Sequence, residues 1–344
     1  MTKVALFADR GSVRSAEIAA CVTAEGGKPV VLDIQLGGLQ RPEDNASGGV
    51  AATLSSGTLR WQGIDVEGIR AVHVRCTAPR VLPALPAVLT SPAHGAYRTA
   101  LLREQEFNAA TWSFLEEMAA RGAVVVNPLT AWIEHDSKGQ LHEKLQEWGF
   151  STPPTLSTSD PERLRAFITE VGRVVVKPAV GIGSTRVVGE SDLSRLDEVL
   201  LCPALFQSFI EGETIRVHMV GETIVLALRV LSDGHMDSRT HVKGFEYVEL
   251  PAVEQANLVA AGRRLGLHYA AWDIIRDRAG RIYYLDCNPG PSLMWIDSDH
   301  RRIVMRQLAR YLVCHARGKT LAEALAGVDA WRPSHRLQAA PQAQ

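Results

Sequence analysis

The stretch AWDIIRDRAGRIYYLDCNPG, residues 271–290, constrains the fold more than any other part of the chain. Two runs rich in β-branched and aromatic residues flank Ala279 and Gly280, a pattern that predicts an antiparallel hairpin. Counting outward from that turn pairs Asp273 with Asp286. With an even-length loop the two carboxylates face each other at roughly 5 Å, where like charges destabilise a sheet unless something neutralises them. An odd loop would spoil this facing arrangement. A divalent cation is one suitable neutraliser, and strand alternation adds Asn288 to the face of Asp286. Two carboxylates and an amide oxygen are hard donors, suited to magnesium held jointly with nucleotide phosphates. The competing reading pairs the carboxylates with Arg276, Arg278 or Arg281. Alternation turns Arg276 away from Asp273, however, and the other two arginines sit at the exposed turn.

A second informative string is VVVKPAVGIGSTRVV, residues 174–188: a strand ending in Lys177, a loop with Gly181, Gly183 and Ser184, and another strand. Lysine supplies a compact cation, and glycines let backbone N–H groups approach an anion without side-chain interference, a combination suited to phosphate. The alternative is a polar hairpin with an exposed lysine.

Around these strings the chain reads as an α/β portion followed by an α+β portion. Lys3 to Ala8, an amphipathic segment to Ala24, the turn Gly26-Gly27 and Pro29 to Ile34 predict strand, helix, strand. Such an opening suggests a parallel sheet, and Gly11 alone is too little for a dinucleotide site. Short strands follow between Gly48 and Cys76, punctuated by Gly57, Gly63 and Gly68. Pro79, Pro83, Pro86 and Pro92 then mark an irregular connection before a helix from about Ala96 to Arg121. VVVNP, ending at Pro128, predicts the last strand of a first domain of residues 1–128. Beyond it come a helix Ser137 to Gly149, a Thr-Pro-Pro turn, a helix opened by Ser159-Asp160-Pro161, and a series of strands from Val174. A final helix at about Arg301 to Arg317 and a shorter one precede a tail from Pro333 that is expected to be disordered. The expected divisions of this second part are 129–205, 206–330 and the tail 331–344.

Lys plus Arg (37) nearly balances Asp plus Glu (38), so no global field recruits nucleic acid or an anionic membrane. Cys21, Cys76, Cys202, Cys287 and Cys314 are far apart and form no metal-type pair, which reads as reduced thiols in a cytoplasmic protein. No signal-peptide core and no membrane-length apolar run is present.

The ordered set of a helix bearing Lys138, the strand lysine Lys177 with its glycine loop, FQSFIEGETIRV, and WDII followed by YLDCNPG resembles the ATP-grasp ligases over roughly Pro128 to Leu312. Within that superfamily the chain is most similar to RimK-type glutamate ligases and microviridin-type peptide ligases. NPLTAWIEHDSKGQLHEKLQEWGFSTPPTL is especially similar to the latter. The resemblance implies an N-terminal α/β pre-grasp domain followed by a two-lobed ATP-grasp fold, with ATP between a central lobe and a C-terminal lobe. It assigns Lys138 and Lys177 to phosphates or the base edge, and Gly181, Gly183 and Ser184 to a loop over the phosphates. The hinge strand with Gln207, Ser208 and Ile210 offers backbone groups to adenine. Thr214 stands where an acidic ribose ligand is usual, so Glu211 or Glu213 must substitute. Arg239 and His241 match a family Arg and Asn that approach phosphate and metal, the histidine being a departure. Arg216 matches a family arginine. Asp273, Asp286 and Asn288 match the metal positions, with Asp286 shorter by one methylene than the more common glutamate.

The implied reaction transfers the γ-phosphoryl of ATP to a carboxylate, with Mg2+, or Mn2+ as a possible substitute, neutralising charge. The acylphosphate is then attacked by an amine or hydroxyl. Arg239, Lys177 and Arg216 are the expected catalytic cations, Arg239 serving the tetrahedral oxyanion. The leading substrate expectation is a ribosomally made peptide whose Asp or Glu side chains are cross-linked to Lys, Ser or Thr. In the first domain only Arg75 matches the arginine-rich strand of such proteins. The alternatives are a RimK-like ligase adding an amino acid such as glutamate to a peptide or small molecule, and a non-catalytic nucleotide-binding scaffold. Expected partners are the peptide or small-molecule carboxylate, the amine or hydroxyl acceptor, and a homodimer as a possible assembly, with neither nucleic acid nor membrane. Lys144 and Lys243 read as solvated surface lysines, Arg229 as a structural ion pair or a site residue, and Trp295 as core or rim.

Overall fold

The computed structural model describes residues 1–34, 52–55, 57–75, 92–178, 185–232, 242–294 and 296–332. The chain opens with strand β1 (Thr2–Ala8), helix α1 (Val13–Ala24) and strand β2 (Gly27–Asp33). Val4 to Ala8 are all buried, as a parallel strand covered on both faces requires. Ser12 starts α1 by accepting from the Ser15 amide. Strands β3 (Ala52–Ser55), β4 (Thr58–Trp61) and β5 (Ile64–Asp65) form a small antiparallel meander, and β6 (Ala71–Val74) returns to the parallel sheet. Helix α2 (Pro92–Ala120) begins earlier than the proline pattern suggests, because proline is tolerated in a first helical turn. Strand β7 (Val124–Val126) completes the order β2-β1-β6-β7.

Two compact units divide the chain, Met1–Leu129 with Met305–Gly327, and Thr130–Val304 with the C-terminal remainder. Residues 305–327 group with the first unit. The reason lies in the later turns of α8 (Ser298–Ala316), where Arg306 and Arg310 reach Glu25 at 2.9 and 3.2 Å.

The second unit opens at Thr130, within α3 (Leu129–Asp136), and continues into α4 (Lys138–Glu147). Its first sheet comprises β8 (Thr155–Thr158), β9 (Val174–Lys177), β10 (Arg186–Val187) and β11 (Ala204–Ser208), antiparallel in the order β10-β9-β11-β8. Helix α5 (Pro161–Val171) covers it, capped by Asp160, whose carboxylate accepts from the Glu162 and Arg163 amides at 2.9 and 3.3 Å. A short helix α6 (Glu190–Leu193) precedes β11. The second sheet comprises β12 (Gly212–Val220), β13 (Thr223–Ser232), β14 (Val242–Tyr247), β15 (Tyr269–Asp277) and β16 (Ile282–Asn288), in the order β14-β13-β12-β15-β16. Helix α7 (Ala252–Arg264) packs Leu258 and Ala261 into one core with Ile215, Val217, Met219, Ala270, Trp272 and Ile274. The helix α9 (Leu321–Ala326) follows α8. No helix among the described residues is long and apolar enough to cross a membrane. The glycine loop 181–184, Arg239, His241, Cys76, Trp295 and the tail from Pro333 lie outside the described residues.

Candidate active site

The β15–β16 hairpin does pair Asp273 with Asp286, by a route the simple count misses. Arg276 pairs with Ile282, so the loop is odd, five residues, and Ile275 and Ile274 continue that register opposite Tyr283 and Tyr284. A one-residue irregularity at Leu285 then restores the pairing of Asp273 with Asp286. Such a bulge also reverses the alternation of the strand. Ile282 and Tyr284 belong to the apolar core before it, and Cys287 after it, so Asp286 and Asn288 turn to the opposite face. Without the bulge Asp286 would point into that core.

Each carboxylate is held by a cation, and neither cation is one of the hairpin arginines. Arg216, on β12 directly opposite Asp273, donates to both its oxygens at 2.6 Å. Asn288 Nδ2 donates to Asp273 Oδ2 at 3.2 Å. Asp286 pairs through Oδ2 with Lys138, and its Oδ1 accepts the Cys287 amide at 2.9 Å. Lys138 opens α4, where the helix dipole disfavours a cation, so the aspartate offsets both the dipole and the burial. Arg276 instead binds Glu213, Arg278 binds Glu211, and Arg281 lies by Tyr283. Burial would raise the Asp286 pKa, but Lys138, His135 and Lys177 outweigh it and hold the carboxyl well below the usual range.

Lys177, at the end of β9, donates to the carbonyl of the bulge residue Leu285 at 3.2 Å and to Gln207 Oε1 at 3.1 Å. Burial lowers its pKa to about 8 against the pull of Asp286, with Lys138 adding to the lowering. Lys138, Lys177, Arg216, Asp273, Asp286 and Asn288 therefore share one polar region between the two sheets of this unit. Lys138, Gln207 and Arg216 are each no more than 5% exposed. A recess of about 490 Å³ adjoins Lys138, lined also by Gly139, Glu143, Thr155 and Ser157.

Three further side chains enter the region without having been picked out in the sequence. His135 Nδ1 donates to the Cys287 carbonyl at 3.0 Å. His142 Nε2 and Thr155 Oγ1 contact Gln207 Nε2 at 3.1 and 2.8 Å. The available signal was helical spacing: His142 lies one turn after Lys138 on the same face of α4.

The Ser208 amide is taken by the Pro154 carbonyl at 2.9 Å, so only its other groups remain for a base edge. Glu213 has both oxygens engaged, by Arg229 at 2.6 Å and Arg276 at 2.6 Å, whereas the Glu211 contact to Arg278 uses one oxygen at 2.7 Å. Arg229 is thus in an ion-pair cluster with Glu213 and Glu246. Lys144 is paired with Glu134, a correction to its reading as a solvated side chain, because α3 brings that carboxylate alongside. Lys243 is exposed. Cys202, Cys287 and Cys314 are free thiols.

Among the described residues no three His, Cys, Asp or Glu side chains converge on a metal position. Two facing carboxylates with a neighbouring amide are nonetheless oxygen donors of the kind a hard divalent cation takes, and their chemistry fits magnesium.

Residues 135–248 match the ATP-grasp domain family. The chain is 27% identical over 253 residues to a probable alpha-L-glutamate ligase of Xanthomonas axonopodis pv. citri (strain 306), covering 70% of this chain and 76% of the relative. It is 29% identical over 243 residues to a probable alpha-L-glutamate ligase of Legionella pneumophila (strain Corby), covering 66% and 74%. The ATP-grasp ligase PsnB, solved in complex with a minimal precursor, superposes with a TM-score of 0.75 at 22% identity, over 92% of this chain and 100% of PsnB. The macrocyclase MdnC from Microcystis aeruginosa MRC, bound with precursor peptide MdnA, gives a TM-score of 0.71 at 21% identity, over 91% and 99%. The chain carries an ATP-grasp domain and has the fold of the ATP-grasp ligases.

Proposed function

We propose that this chain is an ATP-dependent ligase joining a carboxylate to an amine or hydroxyl, and that its substrate is a ribosomally made peptide bearing Asp or Glu side chains. The observation that carries the reading is the opposed pair Asp273 and Asp286, kept on one face by the Leu285 bulge and surrounded by Arg216, Lys138 and Lys177. Aspartates and cations concentrated in one buried region suit a polyphosphate with its counter-ion. PsnB has been crystallised with minimal precursor, Mg and ADP, which supports ATP and Mg2+ as the cofactors and a peptide as the substrate class.

In this reading Asp273, Asp286 and Asn288 hold Mg2+, which supplies charge neutralisation on the transferring phosphoryl oxygens. Lys177 and Lys138 bind nucleotide oxygens, Gln207 orients Lys177, and Ile210 offers backbone groups to adenine. Glu211, with a carboxylate oxygen still open, takes the ribose in preference to Glu213. Arg216 holds Asp273 by both carboxylate oxygens and keeps it directed at the site. Gly181, Gly183 and Ser184 are assigned to the phosphate loop, and Arg239 and His241 to phosphate and oxyanion contacts, on sequence resemblance. Phosphoryl transfer to the substrate carboxylate makes it a mixed anhydride, and attack by the amine or hydroxyl releases phosphate.

A second reading, addition of free glutamate to an acceptor, is favoured by the probable alpha-L-glutamate ligases among the relatives. ADP release separates the possibilities. The peptide reading expects turnover dependent on an acidic peptide encoded beside the gene, with loss of one water per bond formed. Turnover dependent on free glutamate would favour the second reading, and ATP binding with no turnover on either would leave a scaffold.

A further inference from the structure

We infer that His142 and Thr155 are positioning residues that fix the direction of the Gln207 amide, so that its carbonyl oxygen holds Lys177 for the nucleotide. The inference rests on the assignment of Lys177 to ATP.

A lysine ammonium has three donors and no acceptor. The Gln207 atom facing Lys177 Nζ at 3.1 Å must therefore be the oxygen. Its NH2 group then faces Thr155 Oγ1 at 2.8 Å and His142 Nε2 at 3.1 Å, and both of those atoms must accept. Thr155 meets this condition because its own hydroxyl proton is directed to the Pro153 carbonyl at 2.8 Å. His142 meets it only as a neutral ring protonated at Nδ1. Burial, reinforced by Lys177, keeps the ring neutral by lowering its pKa to about 3. The Leu285 carbonyl favours a proton on the ring, although Nδ1 has no hydrogen bond of good geometry.

The result is a directional chain, from the Pro153 carbonyl through Thr155 and Gln207 to Lys177, with His142 occupying the second amide hydrogen. The other end of the chain is anchored by Leu285, whose carbonyl takes another N–H of Lys177. Two of the three ammonium hydrogens are thereby committed to protein oxygens, leaving one for a nucleotide oxygen. A reversed amide would set its NH2 group against the ammonium and leave the lysine without this acceptor.

The test combines two variants with a spectroscopic readout on the unaltered full-length chain. His142→Leu keeps the apolar volume without an acceptor, whereas His142→Gln places an amide oxygen where Nε2 lies. ATP affinity by calorimetry should fall about tenfold in His142→Leu, the scale of one buried hydrogen bond, and return towards the parent value in His142→Gln. Nitrogen-15 spectra of the parent protein should show His142 as the Nδ1–H tautomer. Unchanged ATP affinity in His142→Leu, failure of His142→Gln to recover, or an Nε2–H tautomer would each overturn the inference. The tautomer decides the matter even if neither variant folds. Lys177→Met isolates the underlying assignment: if it binds ATP normally, the nucleotide role of Lys177 fails. If Lys177→Met loses ATP while His142→Leu does not, only the positioning role fails.

Discussion

Replacing Asp286 by asparagine removes one charge at the point where three cationic or basic side chains converge. In the nucleotide-free protein Asp286 pairs with Lys138, whose side chain is 6% exposed against 17% for the aspartate. Lys177 and His135 add to the field that holds the carboxyl ionised. Asparagine keeps the shape and one acceptor oxygen but leaves Lys138 buried without its counter-charge. Removing one partner of a buried pair costs about 3 to 5 kcal/mol, and the retained oxygen places the expected loss near the lower bound, about 3 kcal/mol. The sign of the pH dependence follows from the depressed folded pKa. The stabilisation is fully present above the unfolded value of about 3.9 and is lost as pH falls through the folded value. Urea unfolding of the two proteins without nucleotide should therefore show a constant gap above about pH 5 that narrows below about pH 4. A cycle with Lys138→Met should recover most of the loss in the double variant. Equal stability of the parent and Asp286→Asn at neutral pH would refute the pairing and restore a picture of two repelling carboxylates awaiting a cation.

Saturating ATP with magnesium should raise the melting temperature, corresponding to about 2.7 kcal/mol at a hundredfold excess over Kd, and Lys177→Ala should remove most of that shift in thermal denaturation. Glu211→Gln should raise KM for ATP by about tenfold while leaving 2′-deoxy-ATP unaffected. In the same steady-state assay Glu213→Gln should leave the ratio of the two KM values unchanged, since its oxygens serve Arg229 and Arg276. Gly212→Ala should cost about 1 to 3 kcal/mol in urea unfolding, because a Cβ there meets the Arg276 carbonyl and the strands must shift.

Local patterns of apolar, β-branched and capping residues were sufficient to read the opening β1-α1-β2 unit, the β15–β16 hairpin and the α5 start at Asp160-Pro161. Those are local signals, and the structure follows them. The pairing of Asp273 with Asp286 was legible too, but its cause was not. The count assumed an even loop, whereas an odd loop is corrected by a bulge at Leu285, and a single bulged residue leaves no periodic trace in seven residues of strand. The counter-ions were hidden for a different reason. Lys138 meets Asp286 across 148 positions and Arg216 meets Asp273 across 57, separations that spacing along one element cannot reveal. Gln207 was readable as a hinge residue, but its orientation depends on a histidine from α4 and a threonine from β8.

The central claim, activation of a carboxylate by phosphoryl transfer, is tested most directly by following oxygen. An acidic peptide that supports ADP release is prepared with oxygen-18 in its carboxyl groups and incubated with the full chain, ATP and magnesium, and the released phosphate is examined by phosphorus NMR. One labelled oxygen is expected in the inorganic phosphate for each bond formed, with ADP as the other product. Unlabelled phosphate accompanying bond formation, or label appearing in AMP, would contradict that claim.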